Sequence, residues 1–130
     1  MSAAIAVWVA VGSAIGGVAR YWCSGLIAHL FGETFPWGTL IVNVVGSLMI
    51  GFIATISGPD GRFIMPAEAR QFLMVGILGG FTTFSSFSLQ TLTLARDGQW
   101  LLVGANILGS VVLCLVMVWA GQALATLVNR

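Results

Sequence analysis

Apolar residues run through four long stretches, 3–27, 37–57, 71–95 and 99–128, and of the charged residues only Arg20 falls inside one of them. A helix needs roughly 20 apolar residues to cross the hydrocarbon of a bilayer. The pattern therefore predicts four transmembrane helices with both termini on one side. Between them, "GETFPW" (32–37) and "SGPDGRFIMPAEAR" (57–70) hold the prolines and most of the charges and read as connecting loops, and "RDGQ" (96–99) reads as a tight turn. The opening "MSAAIAVWVAVGSAIGG" lacks a basic leader region and runs straight into the first span, so it reads as mature protein. One transmembrane domain over 1–130 is expected, with no separate soluble domain.

The third stretch breaks its own pattern. "GGFTTFSSF" (79–87) places two glycines, four hydroxyls and three phenylalanines where a spanning helix should be most apolar. Gly79-Gly80 followed by Thr82 and Thr83 is a poor helix interior, so a local break is expected there. A break frees backbone carbonyls at about mid-depth, and these need protein, water or a cation as partner. Two breaks facing each other across a dimer axis would offer a ring of oxygens suited to Na⁺ or K⁺.

Other polar positions follow helical spacing. Thr39, Asn43 and Ser47 recur every four residues in the second span, and Asn106, Ser110 and Cys114 do so in the fourth. Each set shares a helix face. One such stripe reads as interhelical glue, worth about 1 kcal/mol or less per bond. Two stripes beside a hydroxyl-rich third span predict an uncharged track of hydrogen-bond donors, which suits an ion that must shed water and still leave quickly. Phe84 and Phe87, three apart, share a face and present positive ring edges beside the hydroxyls. With no Asp or Glu in the span cores, the track fits an anion.

Composition agrees with the pattern. The chain is 58% hydrophobic and 7% charged, with mean hydropathy +1.03, more apolar surface than a soluble fold of this length hides. Cys23 and Cys114 lie in apolar segments without metal-ligand spacing, so neither a disulfide nor a cysteine metal site is expected. The arginines divide as Arg62, Arg70 and Arg130 on one face against Arg20 and Arg96 on the other. So small a bias does not orient the chain firmly, and insertion both ways round, giving an antiparallel homodimer, is expected. Gly12 and Gly16 form a GxxxG, and Gly46, Gly51, Gly76, Gly79, Gly104, Gly109 and Gly121 are further candidates for close helix contact.

"GGFTTFSSFS" (79–88), "WGTLIVNVVGS" (37–47), "GGVARYW" (16–22) and the four-span length together resemble the Fluc (CrcB) fluoride channels of microbes, across essentially the whole chain. The resemblance implies an all-α, multi-pass protein of the plasma or inner membrane, assembled as an antiparallel, dual-topology homodimer. It also implies two pores for passive F⁻ export, one central structural Na⁺, no catalysis, no organic cofactor and no nucleic-acid partner. By the same resemblance Asn43 is the pore amide and Phe84 and Phe87 are the pore phenylalanines. Thr39, Asn106 and Ser110 belong to the polar track, Gly79 and Thr82 offer main-chain carbonyls to Na⁺, and Arg20 matches an arginine near the end of the first span. Gln90 stands where several relatives carry glutamate, so no carboxylate role is expected there. A small proton-coupled drug exporter would need an embedded carboxylate, which the first span lacks. An accessory subunit would move no ions by itself.

Overall fold

The computed structural model describes residues 1–130 and contains helices but no strands. Four helical segments are long and apolar enough to cross a membrane: Ala3–Phe31, Trp37–Ile56, Ala67–Arg96 and Trp100–Asn129. The first, second and fourth are the continuous helices α1 (Ala3–Phe31), α2 (Trp37–Ile56) and α6 (Trp100–Asn129). The third is composite. It begins as α3 (Ala67–Gln71), widens to a π-helical stretch over Phe72–Leu78, tightens to α4 (Gly79–Phe81), and resumes as α5 (Phe84–Arg96).

The turns are built from local chemistry. Gly98, at φ 71, ends α5, and the Gln99 amide reaches back to the Leu94 carbonyl at 2.9 Å, a left-handed C-terminal cap that β-carbon-bearing residues seldom adopt. Arg70 donates to the Ala54 carbonyl at 3.3 Å and to Ser57 Oγ at 3.2 Å, and Arg62 donates to the Val128 carbonyl at 3.1 Å. Both guanidinium groups thus sit on carbonyl-rich C-terminal ends, of α2 and α6, where a cation is favoured. They pin the connection after α2 and the helical start of the third span to those two helices; residues 67–70, expected as loop, already belong to that helix.

Close packing follows the small residues. Helix α2 lies along α6, and α1 lies on the first half of the third span. A β-carbon on Gly121 would strike the Leu48 carbonyl, and one on Gly51 would strike that of Val118, so α2 and α6 cross backbone to backbone. Gly12 and Gly16 likewise face the backbone of Phe72, Gly76 and Ile77. Gly104 and Gly109, by contrast, meet nothing within 4 Å in one chain.

Only 19 of 130 residues are buried, so the bundle has little core of its own. Its outer surface, including Trp8, Leu101, Leu108, Leu115 and Trp119, is apolar and exposed. Such a surface is stable against hydrocarbon or another apolar protein face, and unstable against water.

Candidate functional site

The break falls at Thr82–Thr83. Thr82 (φ −89, ψ 158) and Thr83 (φ −154, ψ 119) are extended, whereas Gly79 and Gly80 remain helical. The expected break is therefore present and falls on the threonines of the stretch; Gly80 is small because the Ser13 carbonyl of α1 lies 2.6 Å from where its β-carbon would be. The threonines tolerate extension because β-branched side chains favour it, and each satisfies its surroundings locally. Thr82 Oγ1 donates to the Leu78 carbonyl at 2.9 Å, and Thr83 Oγ1 caps α5 by accepting from the Ser86 amide at 3.2 Å.

Asn43 closes the gap. Its Oδ1 accepts from the Thr83 amide at 2.7 Å, and its Nδ2 donates to the Thr83 carbonyl at 3.0 Å. The side chain replaces the helical partners that Thr83 has lost, so Asn43 is a packed, bonded residue of the break. Its amide NH₂ has two hydrogens, and the carbonyl uses one. The other remains for the cavity that Asn43 lines.

The carbonyls of Gly79 and Thr82 are among those the rearrangement frees. In a continuous helix the Thr83 and Ser86 amides would close onto the carbonyls of Gly79 and Thr82; here they bond Asn43 and Thr83 Oγ1. Gly79 is exposed, and the nearest atom to a β-carbon built there is 3.8 Å away. Two hard, neutral oxygens left without those amide partners on an open glycine face fit the donor set that Na⁺ takes.

Two cavities meet at the break. The inner one, about 390 Å³, is lined by Asn43, Ser47, Gly79, Thr82, Thr83, Phe84, Phe87, Ser110 and Cys114, among others, with no charged side chain. The outer one, about 760 Å³, opens beside the 32–37 loop and the 97–99 turn and is lined by Arg20, Thr39, Ser86, Gln90 and Thr93. Thr83 borders both. The α2 stripe therefore runs from the mouth at Thr39, past the break at Asn43, to Ser47 in the inner cavity. Thr39, though buried, makes no side-chain hydrogen bond. Gln90 Oε1 is also buried without a partner.

The phenylalanine rings lie 5.3 Å apart between centroids, tilted by 48°. Phe84 is 77% exposed in the single chain, so its ring faces lipid or a further protein surface at the edge of the cavity. Asn106 does not line either cavity. It is 1% exposed, donates to Thr91 Oγ1 at 2.9 Å and accepts from Ser110 Oγ at 3.3 Å. The structure thus brings Asn43, Phe84, Phe87, Ser110, Gly79 and Thr82 around one cavity, places Thr39 in the mouth, and sets Asn106 behind Ser110. Thr91 escaped the sequence reading; its only signal was a hydroxyl in the second half of the third span, four residues after Phe87.

Four membrane-length helices define a multi-pass membrane protein, and its second, third and fourth spans line an uncharged cavity that carries amide, hydroxyl and aromatic groups. The chain belongs to the CrcB family: the family described as CrcB-like protein, Camphor Resistance (CrcB), matches residues 7–122. Among its relatives, the fluoride-specific ion channel FluC of Paramagnetospirillum magneticum is 61% identical over 122 residues, covering 94% of this chain and 95% of the relative. The proteins of the same description from Opitutus terrae and Rhodospirillum rubrum are 59% and 58% identical; they cover 94% and 95% of this chain and are themselves covered to 92% and 95%.

Proposed function

We propose that this chain is a fluoride-selective passive channel that lets F⁻ leave the cytoplasm down its electrochemical gradient across the plasma or inner membrane. The observation that carries the reading is the inner cavity, where Asn43, Ser110, Phe84 and Phe87 converge without a formal charge. Fluoride is small, hard and strongly hydrated, so each water it sheds must be replaced by a short donor contact. The spare Asn43 N–H and the Ser110 hydroxyl supply donors, and the ring edges of Phe84 and Phe87 add weak positive potential. A larger halide gains less from so few, closely placed donors. Because no side chain in the cavity is charged, the ion is held loosely enough to leave.

The working unit is an antiparallel homodimer inserted in both orientations, with a pore for each copy. The near balance of arginines between the two faces supports it, as do the uncovered Phe84 and the open face at Gly79. Gly79 and Thr82 carbonyls from both copies would hold one structural Na⁺ on the axis, where it offsets the dipoles of backbone that has lost its helix partners. Purified protein in liposomes tests the function directly. F⁻ efflux with little Cl⁻ efflux is expected, and equal rates for both ions, or none, would overturn it.

A further inference from the structure

Behind the cavity wall lies a chain of hydrogen bonds that runs in one direction. Thr91 Oγ1 donates to the Phe87 carbonyl at 2.7 Å, Asn106 Nδ2 donates to Thr91 Oγ1 at 2.9 Å, and Ser110 Oγ donates to Asn106 Oδ1 at 3.3 Å. The direction is set at its far end. A carbonyl can only accept, so Thr91 spends its single hydrogen on Phe87 and can only accept from Asn106. The Asn106 amide must then turn its NH₂ to Thr91 and its oxygen to Ser110; the reverse orientation would set two oxygens against each other or break the 2.7 Å bond. At rest, therefore, Ser110 points its hydrogen at Asn106 and only lone pairs at the cavity it lines.

We propose that Asn106 and Thr91 are positioning residues that set how strongly the Ser110 hydroxyl binds the permeating ion. An arriving anion draws the Ser110 hydrogen away from Asn106, and on its departure the hydrogen returns. The resting bond, at 3.3 Å, is at the long, weak end of O–H···O geometry, so the hydroxyl turns at small cost. Asn106 is buried and has no water to replace Ser110, so its oxygen competes with the ion for that one hydrogen. This competition keeps a good donor from becoming a trap, the condition for rapid passage. Neither Asn106 nor Thr91 borders either cavity, so both act on the ion only through Ser110.

The inference rests on fluoride conduction as proposed above, and its test separates the two. Thr91→Val keeps the shape of the side chain and removes the hydroxyl. The Asn106 NH₂ then loses its acceptor, the amide is free to turn toward Ser110, and the Ser110 hydrogen is released into the cavity. In liposomes or planar bilayers the F⁻ concentration for half-maximal flux should fall about two- to tenfold, the factor that one competing hydrogen bond is worth, and maximal flux should fall with it. Thr91→Ser, which keeps the hydroxyl, should restore both values. Asn106→Leu should act in the same direction as Thr91→Val, and on a Ser110→Ala background Thr91→Val should have no effect on half-saturation. A purely structural role would instead lower the amount of folded protein and leave half-saturation unchanged in what survives; that result overturns the relay while fluoride conduction stands. Absence of F⁻ flux in the unsubstituted protein overturns both.

Discussion

Replacing Asn43 with aspartate separates the two jobs the structure assigns to that side chain. Asn43 holds the break through Thr83 and also faces the inner cavity. Asp retains an oxygen for the Thr83 amide, now a charge-assisted bond, and loses the donor to the Thr83 carbonyl. One unpaired acceptor costs about 1–3 kcal/mol, a loss that the folded protein should survive. By contrast, Asn43→Leu strands both the Thr83 N–H and its carbonyl, about twice that cost, and should lower the melting temperature far more. The effect on conduction is larger still. A fixed carboxylate about 4 Å from a passing anion repels it by about 4 kcal/mol at an effective dielectric of 20, and each 1.4 kcal/mol is about a tenfold change in occupancy. Asn43→Asp should therefore depress F⁻ efflux by roughly three decades. Size-exclusion elution and thermal melting in detergent report assembly, and a fluoride electrode reports efflux from liposomes. Efflux within a few-fold of the unsubstituted protein, in Asn43→Asp dimers that elute normally, would refute the placement of Asn43 on the ion path.

Phe84→Ile and Phe87→Ile keep apolar bulk but remove the positive ring edge, and should each reduce efflux in well-assembled protein; full efflux in both would remove the rings from the path. With so small an arginine bias, reporters at the C-terminus should show both orientations in one membrane, and two or three lysines added to the 58–70 loop should force one orientation and lower activity. Sodium should remain with protein purified in sodium and resist exchange, and Gly79→Val should disturb dimer assembly by crowding the face beside the Gly79 and Thr82 carbonyls, as read by elution volume. Gly121→Val should fail within the single chain, because its side chain would enter the Leu48 carbonyl of α2, and a substantially lower melting temperature is expected.

How much was legible in the sequence follows from the range of each interaction. The four spans, their loops and the all-helical class follow from hydropathy and length, since every backbone group in hydrocarbon must be bonded within its own helix. The ends of α2 agree closely, Trp37–Ile56 against 37–57, whereas α1 runs on to Phe31 past the expected 27 and the third span begins at Ala67 before the expected 71. The stripes of Thr39, Asn43 and Ser47 and of Asn106 and Ser110 were also readable, because helical spacing places them on one face whatever lies opposite. What lies opposite was not. Asn43 finds Thr83 forty residues away, and Asn106 finds Thr91 on a neighbouring helix instead of the cavity. Both depend on how α2, α5 and α6 are set against each other. The position of the break was likewise a tertiary decision: glycines appear to local propensity as the weak point, yet α1 packs on Gly80, while the Asn43 amide compensates extension two residues later, at Thr82–Thr83. Residue types and their spacing announced uncharged polar stripes, and only the packed helices decided which of those groups line a cavity and which bond to one another behind it.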